Sequence, residues 1–482
     1  MLRINKQIKL TEYENLYDVV IPKENILRKI KENIDFSFVN SMLAKSYSEN
    51  YGRPAKEPEM MFKIMFLKRM YDLSDEVLVD NLGYKMAYKY FIGLDPEDKT
   101  IDSSLLTKFR KTRITEDILE EMLTETMKQA IEKGLIKSRA IIVDSTHTSS
   151  KGNPETPTQI LRRMTKTLRK EIYKTQVDLS EDFPEKPSLT STIEDEIEYT
   201  RQLVNSVQDK LTYKVTQKLL KRIEELLEGE KIKSIQSMND EDASVGHKNI
   251  DTSFFGYKNH LAITDERLIS GIEVTSGRAS DTKKLSSLIE QSKKNGVEVD
   301  EVLGDMAYSS KENIDYCEEN GIKLVSRLNT VVSNGNSRNE EFVFNKDVGT
   351  MQCPEGHLAM RCEIRKGAYE NEYHKYIFSL KKCKKCPRNG TCYTGTKEKS
   401  HNITILGQKR QKQYDFEQTE YFKERIKDRY KIEAKNAELK QSHGLAKCKY
   451  VGLFGMKMQI YFTAFVSNIK RIIKLNEINV AQ

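Results

Sequence analysis

Two acidic residues in this sequence each end a short apolar run, a pattern that predicts metal-assisted chemistry on phosphates. Asp144 closes the run Ala-Ile-Ile-Val-Asp at 140–144, and Asp305 closes the run Glu-Val-Leu-Gly-Asp at 301–305. Each run predicts a buried strand with its acid at the C-terminal end, the edge at which open α/β sheets build their sites. Because neighbouring strands lie only about 4.8 Å apart, the two carboxylates can share divalent cations. Mg²⁺ prefers such oxygen ligands, and paired cations activate water and neutralise phosphate charge.

Glu433 is the predicted third acid of this site. It lies on a basic helical segment with Arg429 and Lys440, at spacings of four and seven residues that put all three side chains on one face. Glu433 would complete the metal site while the two cations hold DNA phosphates, and Glu438 is the second choice for this acid. The alternative is a solvated set of ion pairs, which charged helices commonly carry.

Composition and charge favour a polyanionic partner. The 482 residues carry a net charge of +8, from 80 Lys and Arg against 72 Asp and Glu, with a pI near 8.8. At roughly 150 residues per domain, this length predicts about three domains, and the mild basic excess leans toward nucleic acid. Residues 1–40 are charged throughout and lack the apolar core of a signal peptide, which predicts a cytoplasmic protein. The longest apolar stretch, 451–469, is interrupted by polar residues and predicts a core helix rather than a membrane span.

Residues 1–130 have a helical pattern and predict a DNA-binding domain. Ser74 and Asp102 are expected to cap the helices that follow them. The helix after Asp102 carries three cations that we expect to contact DNA: Lys108, Arg110 and Arg113. Short helices, the last of which carries basic residues toward its end, are typical of helix-turn-helix modules. A solvated basic face on an ordinary helical bundle is the alternative.

Residues 136–329 have a strand pattern and predict an α/β domain, a mixed sheet with helices on both faces. Segments 254–265 and 268–275 predict a hairpin, and Asp281 is expected to cap the next helix. Strands and helices then alternate to about residue 326. A Lys- and Glu-rich segment, 152–246, interrupts this order and predicts a helical insertion. Residues 413–482 predict the C-terminal helical part of the same domain, which carries Glu433.

A second insertion, residues 330–412, holds five of the seven cysteines. Cys383 and Cys386 have the paired spacing of zinc ligands, and Cys353 and Cys392 would complete a tetrahedral set. Cys362 is an alternative fourth ligand. A strand-rich loop with buried thiols is the other interpretation of this segment. Disulfides are not expected, because the cytosol keeps thiols reduced.

Four motifs in the chain resemble the insertion-sequence transposases of the DDE class, in particular the IS-eleven-eighty-two-like group. They are Ile-Val-Asp-Ser-Thr at 142–146, Gly-Tyr-Lys-Asn-His at 256–260, Leu-Gly-Asp-Met-Ala-Tyr at 303–308, and Arg429-x3-Glu433-x6-Lys440. Segments 51–94 and 102–110 are similar to the helical N-terminal domain of that group. One departure is Ile426, which stands three residues before Arg429, where the family usually has an aromatic residue.

The resemblance implies a transposase on an RNase H-like fold, preceded by an all-helical N-terminal domain. The catalytic triad would be Asp144, Asp305 and Glu433, binding two Mg²⁺ or Mn²⁺ ions, and Arg429 and Lys440 would contact DNA. The implied reaction is metal-dependent strand cleavage followed by strand transfer. The implied partners are the terminal inverted repeats of the element, the target DNA and a second copy of the chain. The implied location is the bacterial cytoplasm, at the nucleoid.

Three further residues and two rival functions stay open at this point. Lys258 would contact DNA if it faces the site, which the alternation of side chains along a strand leaves undecided. His147 and His260 could touch the scissile phosphate or be structural residues. The rival functions are an RNase H-like nuclease that cuts without joining strands and a non-catalytic, DNA-binding remnant of a transposase.

Overall fold

The computed structural model describes most of the chain in a series of ranges. These are residues 13–48, 54–229, 232–233, 235–247, 252–328, 342–345, 350–353, 355–366, 372–390, 392–395, 397–405 and 408–481. Residues 51–53, with which the N-terminal resemblance begins, lie outside the described residues.

The N-terminal part of the chain is helical, as predicted. Ser74 accepts a hydrogen bond from the amide of Val77, and Asp102 accepts one from the amide of Ser104, so both residues cap helices as expected. The helices are α1 (Glu14–Val20), α2 (Ile26–Asn33), α3 (Phe38–Ala44), α4 (Pro58–Met70), α5 (Asp75–Tyr84), α6 (Met86–Ile92), α7 (Ser103–Arg113) and α8 (Glu116–Glu132).

A mixed sheet follows, and it contains the predicted hairpin. Its strands are β1 (Ala140–Ser149), β2 (Ser244–His247), β3 (Ser253–Thr264), β4 (Ile269–Ser276), β5 (Glu301–Leu303) and β6 (Lys323–Val325). Strand β3 pairs antiparallel with β1, β2 and β4. On the other side of β1, strands β5 and β6 join in parallel. The order β2-β3-β1-β5-β6 therefore puts β1, with Asp144, at the centre of the sheet.

Three helices lie between β1 and β2, within the segment predicted to be a helical insertion. They are α9 (Pro157–Thr175), α10 (Ile193–Val207) and α11 (Lys214–Glu228). Thr156 caps α9 and Thr192 caps α10, each through a capping box. In this motif the threonine hydroxyl accepts a hydrogen bond from the backbone amide of the third helical residue, whose side chain accepts one from the amide of the threonine. Their apolar faces meet in a separate small core that includes Leu168, Leu203 and Ile223.

The segment rich in cysteine forms small sheets with a short helix. Strands β7 (Val343–Asn345) and β8 (Thr350–Gln352) pair with each other, and β10 (Glu372–Phe378) pairs with both β9 (Arg361–Lys366) and β11 (Lys399–Ile405).

Helices cover both faces of the mixed sheet, as predicted. The helices after β4 are α12 (Leu285–Lys294), α13 (Lys311–Glu319), α14 (Leu380–Lys384), α15 (Gln408–Glu417), α16 (Glu420–Arg425), α17 (Tyr430–Ser442) and α18 (Gly452–Ala481). Helix α12 packs so closely on β4 that a Cβ on Gly271 would lie 3.0 Å from the carbonyl oxygen of Leu288. Helix α17 lies on the other face, where Asn436 contacts Asp144.

Asp281 does not cap α12, so that prediction was wrong. A 3₁₀ turn at Thr282–Lys284 precedes the helix, and the Asp281 side chain makes no capping hydrogen bond. Its carboxylate is instead paired with Lys258 on β3, at 3.0 Å. An ion pair in a partly buried position has replaced the local cap.

The N-terminal helices, the sheet and the last helix share one continuous hydrophobic core. Phe465 of α18 is buried against Phe62 and Phe66 of α4, with ring centroids 5.2 and 5.9 Å apart. The apolar stretch 451–469 thus lies mostly in a core helix, as predicted. Among the described residues, no helix is both long enough and apolar enough to cross a membrane.

Candidate active site

The parallel pairing of β1 with β5 brings Asp144 and Asp305 to matching heights, just beyond the last residue pair of the two strands. The prediction that Asp144 ends its strand was wrong, because β1 continues to Ser149 through its pairing with β3. Ile142 pairs with Leu303 in this register. Each acid follows its paired residue by two positions, so the two acids come from neighbouring strands at matching heights. The two carboxylates are close enough to interact electrostatically, because the charge of Asp305 raises the pKa of Asp144.

Asp144 is partly buried, and its pKa is raised from 3.8 to about 6. Burial is the largest cause, because it disfavours the charged carboxylate. The nearby charges of Asp305 and Asp281 raise the pKa further, whereas the backbone amide of Ser145 and the guanidinium of Arg429 lower it. Asp144 therefore binds a proton more tightly than an exposed aspartate does, chiefly because it is buried.

Asp305 is held by the turn that follows it. Its carboxylate accepts a hydrogen bond from the amide of Ala307, at 2.9 Å, and its carbonyl oxygen accepts one from the hydroxyl of Ser326, at 2.6 Å. The same 3₁₀ turn buries Tyr308, whose side-chain hydroxyl has no hydrogen-bond partner. Burial and the charges of Asp144, Asp281 and Asp305 raise the pKa of Tyr308, so this hydroxyl stays protonated.

Helix α17 brings the predicted third acid toward the site without placing it against the other two. Asn436 donates a hydrogen bond from Nδ2 to Oδ2 of Asp144, at 2.9 Å. Glu433 lies one turn earlier on the same helix, and its side chain is 61% exposed. Its nearest cation is Arg429, with 3.8 Å between Nη2 and Oε1. In the described part of the chain, no three His, Cys, Asp or Glu side chains are close enough to hold a metal ion.

Asp281 is a residue of this site that the sequence analysis missed. Its Oδ1 accepts a hydrogen bond from Lys258 and lies 3.6 Å from Nδ1 of His260. Lys258 also donates to the carbonyl of Ala279, so this predicted DNA contact is engaged inside the protein. Lys258 and His260 are two residues apart on β3, so their side chains lie on the same face of the sheet. Two basic side chains on one face were the available sign that an acidic residue would pack against them.

The two histidines of the sequence analysis take structural positions. His260 is fully buried, with Nε2 2.9 Å from the hydroxyl of Thr275, and burial lowers its pKa to about 4. His147 packs against Phe254, with ring centroids 4.8 Å apart. His260 is therefore closed off from a DNA strand, whereas His147 is partly exposed.

The other predicted DNA contacts differ in their exposure. Lys108 is exposed, whereas Arg110 is buried and forms a two-pronged ion pair with Asp75. The guanidinium of Arg113 stacks on the ring of Tyr47, with Cζ 4.2 Å from the ring centroid. Lys440 is partly exposed on α17. The buried ion pair makes Arg110 a structural residue of the helical region as well as a predicted DNA contact.

The four predicted zinc ligands gather around one small cavity. It is lined by Cys353, Cys383, Cys386 and Cys392. Burial and the other three thiols raise the pKa of Cys383, as expected where several thiols lie close together. Cys362, the alternative ligand, is exposed on β9. As placed in the described structure, these four side chains are not close enough together to hold a metal ion.

Two regions of the chain match known protein families. Residues 15–112 match the family described as "Transposase domain (DUF772)", and residues 352–473 match the family described as "Transposase DDE domain". The second match contains Arg429, Glu433 and Lys440, whereas Asp144 and Asp305 lie before it. These two matches confirm the predicted resemblance to the insertion-sequence transposases of the DDE class.

One curated relative adds a shorter similarity. The "Uncharacterized protein ORF8 in nfe locus" of Rhizobium meliloti is 32% identical over 92 residues. The match covers 19% of this chain and 44% of the relative, so the chain spans less than half of that protein.

Proposed function

We propose that the chain is a DDE transposase that cleaves DNA at the terminal inverted repeats of its element and transfers the freed strand to target DNA. The observation that supports this proposal is that Asp144 lies close to Asp305 and is in contact with α17. The two acids each follow a paired residue of neighbouring strands by two positions, and Asn436 joins Asp144 to the helix of the Arg429-x3-Glu433-x6-Lys440 motif.

The mixed sheet is proposed to be an RNase H-like catalytic core. Its antiparallel strands β1, β3 and β4, followed by the parallel strands β5 and β6, support this proposal. Residues 1–130 would form the DNA-binding domain, and the helices within 152–246 and the segment 330–412 would be insertions into the catalytic domain. Residues 413–482 would return to that domain with the third acid.

The residues present fit a pair of divalent cations. Asp144 and Asp305 offer hard oxygen ligands, and the buried Oδ1 of Asn436 accepts no hydrogen bond. Burial is the main cause of the raised pKa of Asp144, and the nearby charge of Asp305 adds to it; a bound cation would offset both. Glu433 would be the third ligand, because its exposed side chain stands one helical turn from Asn436. Mg²⁺ or Mn²⁺ bound there would activate water and stabilise charge on the phosphate.

Arg429, directly before α17, and Lys440 on that helix would position the DNA. Arg429 lies near Asp144 and has an unpartnered Nε, so it is suited to hold the oxygens of the scissile phosphate. Water would break the phosphodiester bond and leave a free 3′ hydroxyl. That hydroxyl would attack a phosphodiester of target DNA, which exchanges one ester bond for another and needs no energy source.

The test is a cleavage and strand-transfer assay on duplexes that carry the ends of the element, with Mg²⁺. We expect cut and joined products with the unaltered chain and neither product with Asp144→Asn, while DNA binding persists. Glu424→Gln is the matched control, because Glu424 is 72% exposed and pairs only with Lys427 among the described residues. Cutting without joining would favour the nuclease, and binding without cutting would favour the remnant; either result contradicts the proposal.

We also propose that Cys353, Cys383, Cys386 and Cys392 bind a structural Zn²⁺ ion. Their common cavity supports this, because thiolates at this spacing can meet one tetrahedral ion. Metal analysis of the purified protein should find one zinc per chain, and Cys383→Ser should lose it. The control is Cys362→Ser, which changes an exposed cysteine of the same segment. Absence of zinc from the unaltered chain would contradict the proposal.

A homodimer is the proposed active assembly, since the two ends of an element must be cut together. Light scattering of the complex with end DNA should give the mass of two chains, and a complex with one chain would contradict this.

A further inference from the structure

A cavity of about 510 Å³ lies between the N-terminal helices and the last helix, away from the acids of the candidate active site. Helices α4 and α7 form one wall through Met65 and Arg110. Helix α18 forms the other through Met458 and Phe462, and Lys151, just after β1, lies at the side. Both regions with transposase matches therefore contribute to it.

The walls of this cavity carry more positive than negative charge. Five lining residues are cations: Lys68, Arg69, Arg110, Lys151 and Lys449. Two are carboxylates, Asp72 and Asp75.

Each carboxylate is shared between two cations. Asp75 lies 2.7 Å from Lys68 and 2.5 Å from Arg110, and Asp72 pairs with Arg69 and with Lys449. Lys151 has no carboxylate partner in the part of the chain that the structure describes. Five cations against two carboxylates leave an excess of three positive charges.

Three of the five cations are largely buried, whereas Lys449 is 47% exposed and Lys151 is exposed. The side chains of Lys68, Arg69 and Arg110 are 15, 8 and 10% exposed. The Nε of Arg69 is buried and has no hydrogen-bond partner. Three largely buried cations against two carboxylates leave one positive charge without a full counter-charge, which is costly, so this roomy cavity is suited to an anion.

We infer that this cavity binds a backbone phosphate of the DNA duplex at a distance from the cleavage site. The choice of DNA rests on the proposed function. Lys151 lies seven residues beyond Asp144 and two beyond the end of β1, a span of roughly 20 Å at the rise of an extended chain. A duplex rises 3.4 Å per nucleotide, so this corresponds to a phosphate about six nucleotides from the scissile bond. The site would hold the duplex in register while Asp144 acts.

The test measures how DNA binding depends on salt. A fluorescent duplex of arbitrary sequence is titrated with full-length protein at several NaCl concentrations, and the affinity is plotted against salt on logarithmic axes. Lys151→Gln and Lys449→Gln should each reduce the slope by about one, because each loses a phosphate contact. Lys133→Gln is the control, since Lys133 is exposed and does not line the cavity. Slopes equal to that of the control in both variants would overturn the proposal.

A second measurement separates DNA from a free anion. Sodium phosphate should raise the melting temperature relative to NaCl at equal ionic strength, and less so in Lys151→Gln. If phosphate stabilises the protein while the DNA slopes stay unchanged, the cavity holds a free anion and the assignment to DNA is wrong. The same measurements distinguish failure of the proposed function from failure of this inference. If the unaltered chain cuts no DNA while the two variants still lower the slope, the cavity remains a DNA site without the transposase reaction.

Discussion

Asn436 of helix α17 and Asp144 of strand β1 are joined by a hydrogen bond of 2.9 Å across 292 residues of sequence. This contact fixes the rotation of α17 on the sheet, because a helix turned by one residue would move the amide away from the carboxylate. It therefore also determines where Arg429 and Glu433, on the preceding turns, stand relative to the acids of the sheet.

Replacing Asn436 by Ala should raise the pKa of Asp144 above its value of about 6. The amide donor favours the charged carboxylate, and its loss leaves that charge less compensated. NMR titration of the Asp144 carboxyl group in metal-free protein measures the effect. Gln418→Ala is the control, because it removes an exposed side-chain amide whose one hydrogen-bond partner among the described residues is the carbonyl of Tyr414. An unchanged pKa in Asn436→Ala would show that the hydrogen bond has no electrostatic role.

Asp144→Asn should stabilise the metal-free protein at neutral pH. The folded state raises the pKa of Asp144 from 3.8 to about 6, so folding favours the neutral carboxyl. That contribution is present below pH 4 and is lost as the pH rises through 6. The variant should therefore exceed the parent by up to about 3 kcal/mol above pH 7 and match it below pH 4. Urea unfolding across this range measures the difference, with Glu420→Gln as an exposed control. A difference that does not change with pH would contradict the raised pKa.

Asp281 and Lys258 should shift the pH dependence of metal-supported cleavage in opposite directions. Asp281→Asn removes a negative charge that raises the pKa of Asp144, so half-maximal activity should move to lower pH. Lys258→Met leaves Asp281 without its ion-pair partner, so the midpoint should move to higher pH. Initial rates across the acidic range measure both. Shifts in the same direction would mean that these variants act through the fold and not through charge.

Phe465→Ala should cost about 3 to 5 kcal/mol of unfolding free energy, because it empties a large buried site. The ring packs against Phe62 and Phe66, so the loss should loosen the N-terminal helices from α18. Guanidinium unfolding measures the cost. Phe454→Ala, on the same helix but 36% exposed, should cost much less. Equal losses in the two variants would argue against a shared core at Phe465.

The sequence predicted those parts of the fold and the site that local patterns determine. Apolar runs that end in an acid located β1 and β5, and the small polar residues Ser74 and Asp102 marked helix starts. An acid that caps a helix and an acid that pairs with a distant lysine look alike in sequence, which is why Asp281 was misplaced.

Contacts between distant segments could not be predicted. Arg110 looks like an exposed DNA contact until the fold brings Asp75 against it from 35 residues away. The contact between Asn436 and Asp144 depends likewise on how α17 settles on the sheet. Side-chain type gives the chemistry of each residue, but its partner depends on tertiary packing.

The most direct test of the proposed metal chemistry is the anomalous X-ray signal of crystals soaked in Mn²⁺. We predict manganese bound to the carboxylates of Asp144 and Asp305, with Glu433 drawn in as a further ligand, and no manganese there in Asp144→Asn. Saturating Mn²⁺ with no anomalous peak at these carboxylates would contradict the account.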